Sequence, residues 1–273
     1  MKIASSASHR LPFWLALLLL ESSVTGFPAP FHHHTTGDQR TLASNTLALA
    51  AVAGDGETWE NLLPEISAAP VRKAVLESSS AAADAAETPS KGSTVTIEYS
   101  GSLWMDPDSI GCSIPSWDTN AVLKCWLAEQ QGLDELVGPF EEHSVDGSKL
   151  LDEERFTEAF VGEFLGLDNK IRCKKTIMAA KRLRTTLKDF EHGLVFDSTD
   201  SKPNQSYSFV LGEGKTIKAM ELLVASMNVG ETSRVVTRCD YGYGADGFRT
   251  SKGDVLVPPF CGLQFDVKLV SVR

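Results

Sequence analysis

Apolar and polar positions alternate in short bursts through the last third of the chain. Leu194-Val195-Phe196, Tyr207-Ser208-Phe209-Val210-Leu211, Ser233 to Arg238 and Leu263-Gln264-Phe265-Asp266-Val267 are each set between Gly, Pro, Asn or Asp turns. That pattern predicts antiparallel strands. A short helix is expected over Thr216 to Val224, after the turn Gly212-Glu213-Gly214. One more strand of the same kind stands far upstream, where Val95, Ile97 and Tyr99 alternate with polar neighbours behind the turn Pro89 to Thr94. About 90 residues part it from the rest. A structureless loop of that length inside a compact domain is improbable, so the intervening segment is expected to fold.

Its pattern is helical. Val122, Cys125, Trp126 and Leu133 share a stripe, followed by Leu136, Val137 and Phe140, then Phe156, Phe160, Phe164 and Leu165. Ile171, Ile177, Met178, Leu183 and Leu187 close the series. Four or five short helices are implied over residues 114–187. Glu142-x-Ser144-x-Asp146-Gly147 with Glu153 loosely matches a calcium loop, but Glu opens it, Ser holds the third place and Lys149 the eighth. Asp146-Gly147 reads better as a turn before a helix.

The amino terminus has a different grammar. Residues 1–26 resemble a signal peptide: Lys2 and Arg10, an apolar core over Leu11 to Leu20, then small residues. The core is too short to span a bilayer, which takes about 20 residues. Residues 27–85 are expected to be transit-like and then a flexible linker. Phe27-Pro28-Ala29-Pro30-Phe31 resembles the junction of bipartite algal plastid presequences, and the stretch to Gly54 holds one acid, Asp38. Leu47 to Ala53 has the form of a second short signal for the thylakoid lumen. Plain secretion is the alternative. Trp59, Leu62, Leu63, Ile66 and Val71 read as one face of a short amphipathic helix, and Ser78 to Ala86 as a spacer. Most of residues 1–85 is expected to be poorly ordered.

Apolar residues make up 42% of the 273, enough for real cores. A formal charge of −10 argues against a general nucleic-acid binder. The five cysteines are scattered and form no C-x-x-C pair, so no zinc or thioredoxin signal is present. Gly212-x-Gly214 lacks the third glycine and the βαβ setting of a phosphate loop. No Ser/His/Asp or metal cluster appears.

In order, Val95 to Gly101, Val195-Phe196-Asp197, Phe209-Val210-Leu211-Gly212, Val229-Gly230-Glu231, Asp240-Tyr241-Gly242-Tyr243-Gly244 and Val257-Pro258-Pro259 resemble the FKBP-type peptidyl-prolyl isomerase domain. The domain would be split into residues 86–110 and 190–273. The resemblance implies an α+β fold, a twisted antiparallel sheet wrapped on one short helix. It implies a proline-binding cleft walled by Tyr99, Phe196, Asp197, Tyr207, Ile217, Met220, Tyr243 and Phe265, with Phe209, Thr216, Leu256 and Val257 beside it. The Ile217 amide and the Tyr243 hydroxyl would meet substrate carbonyls. Met220 stands where the family often has a tryptophan, which leaves the floor apolar but more adaptable. Proline-containing clients and tacrolimus-type macrolides are the implied ligands, with no metal or cofactor. Cys239 and Cys261 would flank adjoining strands; the sequence leaves open whether they pair.

The insert's order of Trp117, Trp126-Leu127, Gly132-Leu133, Phe140, Val145-Asp146-Gly147, Leu150-Leu151 and Leu165-Gly166-Leu167 resembles a five-helix sterile alpha motif. The gap before Leu165 is longer than that pattern. From Asp118 to Asp168 there are 13 acids and three bases; from Asn169 to Leu187 there are seven bases and no acid. One reading is a pair of solvated faces, the bases suiting the helix dipole. The other is head-to-tail association, with Lys170, Arg172, Lys174 and Lys175 of one copy meeting Asp146 and Glu153 of another. Sterile alpha motifs also bind RNA or lipid. The resulting expectation is an active prolyl isomerase with an inserted interaction module. The alternative is a non-catalytic scaffold that works through the insert.

Overall fold

The computed structural model describes residues 57–66, 68–79, 87–107, 111–201 and 205–273. The leader, the transit-like stretch and the lumenal signal expected over residues 1–56 lie outside them. The described strands are β1 (Trp59–Asn61), β2 (Val71–Glu77), β3 (Thr94–Trp104), β4 (Val195–Ser198) and β5 (Tyr207–Val210). After these come β6 (Thr232–Thr237), β7 (Phe248–Arg249), β8 (Val255–Val257) and β9 (Gly262–Val272).

The sheet is antiparallel in the order β1-β2-β6-β9-β3-β4, and β5 also pairs with β3. Its spine is β3 against β9, paired from Val95 opposite Val272 to Trp104 opposite Gly262 with one bulge between Thr96 and Ile97. Alternation in β3 turns Val95, Ile97, Tyr99 and Leu103 into the core and leaves their neighbours outside. Over that face lies the helix Lys218–Ala225, which buries Ala219, Met220, Leu223 and Val224 among Ile97, Val235, Leu263, Val267 and Leu269. Each of the larger side chains buried there, Met220, Leu223 and Val224, stabilises the fold by about 1.5–3 kcal/mol.

The insert leaves and re-enters through a β3–β4 stalk. Leu103 donates its amide to the Leu194 carbonyl at 3.0 Å, and Gly193 donates to the Leu103 carbonyl at 2.8 Å. Holding the ends together in this way makes a long insertion tolerable, because closure entropy rises only slowly with length. Helical turns occupy Ile114–Ser116, 119–129, 134–142, Gly147–Leu151, Phe160–Phe164 and Lys170–Lys188. Short polar side chains start three of them. Asp118 accepts from the Ala121 amide at 2.7 Å, Asp146 from Lys149 at 2.8 Å, and Asn169 from Ile171 at 3.0 Å. The segments close on their own core, in which Trp126 stacks on Phe140 at 6.3 Å and Phe156 meets both edge-on. Cys239 and Phe260 of the sheet domain join that core.

The structure corrects the reading of residues 57–79. No amphipathic helix forms there, and the segment is not a linker. Pro64 and Pro70 remove helical hydrogen bonds, and the chain runs instead as β1 and β2. β2 pairs with β6 from Val71 opposite Thr237 to Glu77 opposite Thr232. The Val95 strand is therefore the third described strand along the chain and the fifth across the sheet. A chain cut to begin at residue 75 would lose half of β2. Arg72 lies over the Trp59 ring at 5.0 Å, and Arg234 of β6 holds Glu57 at 3.0 Å and Asp266 at 2.7 Å.

Candidate functional site

β3, β4, β5 and β9 each lend an aromatic ring to one end of the sheet's inner face. Tyr99 and Phe265 approach to 6.1 Å, Phe265 and Phe196 to 5.7 Å, and Phe196 and Tyr243 to 6.1 Å, all edge to face. Tyr207 meets Tyr99 edge-on at 6.5 Å and stacks on Phe209 at 5.6 Å. Edge-to-face geometry leaves ring faces turned inward, which suits an apolar guest. Gly101 makes the floor possible. A Cβ there would sit 2.5 Å from Phe265 Cε1 and 3.1 Å from Phe196 Cζ, so any side chain would push both rings aside.

Polar groups line the rim. The Tyr99 hydroxyl donates to Asp197 Oδ2 at 2.5 Å, which fixes the carboxylate beside the rings. Backbone around it is pinned too: Thr199 Oγ1 accepts the Tyr99 amide at 2.9 Å. Ile217 precedes the Lys218–Ala225 helix with an extended backbone, and among the described residues its amide has no hydrogen-bond acceptor. Tyr243 is half-buried, and its hydroxyl likewise has no hydrogen-bond partner among the described residues. Burial, helped by the nearby Asp197 charge, pushes the Tyr243 phenol well above the usual tyrosine range, and burial also raises the Tyr207 phenol. Tyr243 thus stays a hydrogen-bond donor into strongly alkaline solution.

That direction carries a test. Turnover that depends on the Tyr243 donor is expected to stay level from pH 7 to about 10, the ordinary tyrosine value. A decline with its midpoint at or below that value in a pH–rate profile would contradict it. Because both phenols are raised on folding, their share of stability is complete below the ordinary value and is lost as pH climbs through the raised one.

Of the residues predicted from sequence, Tyr99, Phe196, Asp197, Tyr207, Phe209, Tyr243 and Phe265 are brought together by the contacts above. Ile217, Met220 and Val257 are buried in the same cluster. Thr216 and Leu256 are half-buried nearby in sequence. Sequence reasoning missed two participants. Phe248 stacks obliquely on Tyr243 at 5.1 Å from the β7–β8 ribbon; a single aromatic in an otherwise polar loop was its only signal. Gly101 was visible in the Tyr99-x-Gly101 pattern, but its steric role depends on where Phe265 falls.

The insert residues have local duties. Arg172 pairs with Glu135 at 2.6 Å, Lys175 donates to the Gln131 carbonyl, and Glu153 meets Lys188 at 3.5 Å. Lys170 and Lys174 are exposed. Asp146, assigned from sequence to an interaction surface, spends its carboxylate on capping Gly147–Leu151 and on Ser148. The five cysteines are free, Cys239 and Cys261 among them.

An aromatic box on the inner face of an antiparallel sheet, closed by one helix and edged with free donors, defines a receptor for a small apolar ring flanked by carbonyls. A family profile described as FKBP-type peptidyl-prolyl cis-trans isomerase matches residues 173–270. FK506-binding protein 1 of Dictyostelium discoideum is 43% identical over 82 residues, which cover 30% of this chain and 71% of that protein. Peptidyl-prolyl cis-trans isomerase FKBP1A of Xenopus laevis is 35% identical over 83 residues, with the same coverage of 30% and 71%. FKBP4 of Mus musculus is 38% identical over 81 residues, covering 30% of this chain and 16% of that protein. The chain belongs to the FKBP-type peptidyl-prolyl cis-trans isomerase family, enzymes that interconvert the cis and trans forms of X–Pro bonds.

Proposed function

We propose that this chain catalyses prolyl isomerisation of protein clients in the box of Tyr99, Phe196, Tyr207, Met220, Tyr243 and Phe265, and that the insert is a sterile-alpha-motif-like module that selects or gathers them. The observation that carries the catalytic part is the dry aromatic wall with unclaimed donors at Tyr243 and Ile217. Rotation about an X–Pro bond meets a barrier of about 18–20 kcal/mol because resonance stiffens the amide. Uncatalysed exchange takes tens of seconds. The twisted amide has lost that resonance and is less polar than the planar one, so apolar walls favour it over the ground state. The Ile217 amide and the Tyr243 hydroxyl hold carbonyls on either side of the bond, while Asp197, fixed by Tyr99, polarises the rim. No nucleophile is needed.

The module reading is supported by the succession of short helical segments, the core they build chiefly from their own residues and the base-rich Lys170–Lys188 helix. Lys174 is free to face an acidic surface on another copy. The acid-poor stretch after Phe27 supports delivery to a plastid of an alga with a bipartite presequence.

The test is the cis–trans exchange rate of a proline peptide with the purified protein, with and without tacrolimus. Acceleration that the macrolide blocks is the expected result. A folded protein that gives no acceleration would leave the insert as the working part. Light scattering before and after K174E/K175E reads the module separately: dissociation is expected, and a monomer indifferent to the change would remove self-association.

A further inference from the structure

Cys125 and Cys239 are 114 positions apart in sequence yet share one buried pocket between the insert and the sheet domain. Their sulfurs lie within 4.8 Å of each other, and both residues are buried, Cys125 at 5% exposure and Cys239 at 1%. Both are free thiols. A disulfide needs the sulfurs about 2.05 Å apart, so a small approach of the two elements would join them. Cys125 belongs to the first helical segment of the insert, within Val122–Trp126. Cys239 ends the run that follows β6 and anchors the loop bearing Tyr243. Its carbonyl accepts the Gly242 amide at 2.9 Å and the Gly244 amide at 2.8 Å.

A metal is the competing use of this cluster, since the Asp240 carboxylate lies in the same group. Arg238 excludes it. Its Nε and Nη2 hold both Asp240 oxygens at 2.8 Å, and the guanidinium sets a positive charge where a cation would have to sit.

We propose that Cys125 and Cys239 are an oxidative modification site, a thiol pair that peroxide converts into a disulfide stapling the insert to the Tyr243 loop. The Cys125 thiolate attacks one peroxide oxygen. The O–O bond breaks, the released hydroxide takes a proton to become water, and Cys125 becomes a sulfenic acid. The Cys239 sulfur then displaces the sulfenic hydroxyl, which leaves as a second water once the Cys239 proton is transferred. Two thiols are oxidised by two electrons, and one peroxide is reduced to two waters. The order follows from the site: Cys125 is the more exposed of the two, at 5% against 1%, and so meets the peroxide first. Drawing Cys239 toward the insert displaces the backbone that positions Tyr243. The effect on turnover rests on the isomerase reading above; formation of the bond does not.

The experiment treats the full chain with hydrogen peroxide, alkylates it under denaturing conditions and maps peptides without reduction. The expected result is loss of two hydrogens and one cross-linked peptide pair containing Cys125 and Cys239, with Cys112, Cys173 and Cys261 alkylated. Dithiothreitol is expected to reverse it. Oxidation is also expected to lower kcat/KM by about tenfold or more, as a displaced positioning group does, and Cys125→Ser is expected to abolish that sensitivity. Five alkylated cysteines after oxidation, or a different pairing, would overturn the proposal. So would zinc retained by the reduced protein and stripped by a chelator. The mapping uses the unaltered chain, so a variant that fails to fold does not spoil it. An inactive protein that still forms the bond would sink the isomerase reading alone.

Discussion

Lys73→Met is expected to destabilise the fold by about 3–5 kcal/mol, the cost of leaving a buried charge without its partner. Lys73 Nζ sits 2.7 Å from Glu231 Oε1, with the two side chains only 5% and 7% exposed, and it also donates to the Ser226 carbonyl at 2.8 Å. Glu231 is gathered further by the Ser233 hydroxyl at 2.6 Å and the Asn228 amide at 3.1 Å. Methionine keeps the volume but removes the charge, so the carboxylate must be neutralised or flooded. Urea denaturation at pH 7 reads the effect as a lower midpoint, and Lys73→Met/Glu231→Leu should recover much of it, since an apolar pair often replaces a buried ion pair without loss. A shift below about 1 kcal/mol, the range of an exposed ion pair, would mean that β2 is not bound in solution. The pH dependence points the same way. Burial alone would push the Glu231 carboxyl up, but hydrogen bonds from Lys73, Ser233 and Asn228, with the Lys73 charge, outweigh it and leave the carboxyl below its usual range. Its stabilisation is therefore complete above the ordinary carboxylate value and is lost as pH falls through the lowered one. The single variant should flatten that acid limb.

Phe196→Ala should lower kcat/KM by roughly 5- to 150-fold while the protein stays folded. Phe196 makes two edge-to-face contacts, with Phe265 at 5.7 Å and Tyr243 at 6.1 Å. Pairs of this kind are worth about 0.5–1.5 kcal/mol each, and every 1.36 kcal/mol lost from the transition state is tenfold in rate. The residue is only half-buried on the edge strand β4, so its removal opens the box without emptying the core. A protease-coupled proline assay measures the rate, and circular dichroism confirms the fold. A rate within twofold of the parent would exclude this face from the site.

The local alphabet of the chain carried a good deal of this. Alternation at Val95, Ile97 and Tyr99 determined which face of β3 turns inward, because successive side chains on a strand point to opposite faces. Helical periodicity from Val122 to Leu187 marked the change of architecture between β3 and β4. Turn and cap residues such as Asp146 and Asn169 were legible because their chemistry acts over three residues. The ordered aromatic and glycine motifs also pointed to most of the box, including Asp197 and Tyr243.

What lay beyond the sequence depended on partners distant along the chain. β2 carries Arg72 and Lys73 in a stretch that the sequence assigns to a linker, and only β6 and Glu231 turn those charges inward. Gly101 is indispensable only once Phe265, 164 positions later, arrives over it. Phe248 joins the box because β7 and β8 fold the long loop back onto Tyr243. The meeting of Cys125 with Cys239 was likewise invisible, since no spacing rule links an inserted helix to the end of a strand. Local propensity and period are written in neighbouring residues; burial of charge, close approach and the pairing of remote thiols exist only after the chain has closed on itself.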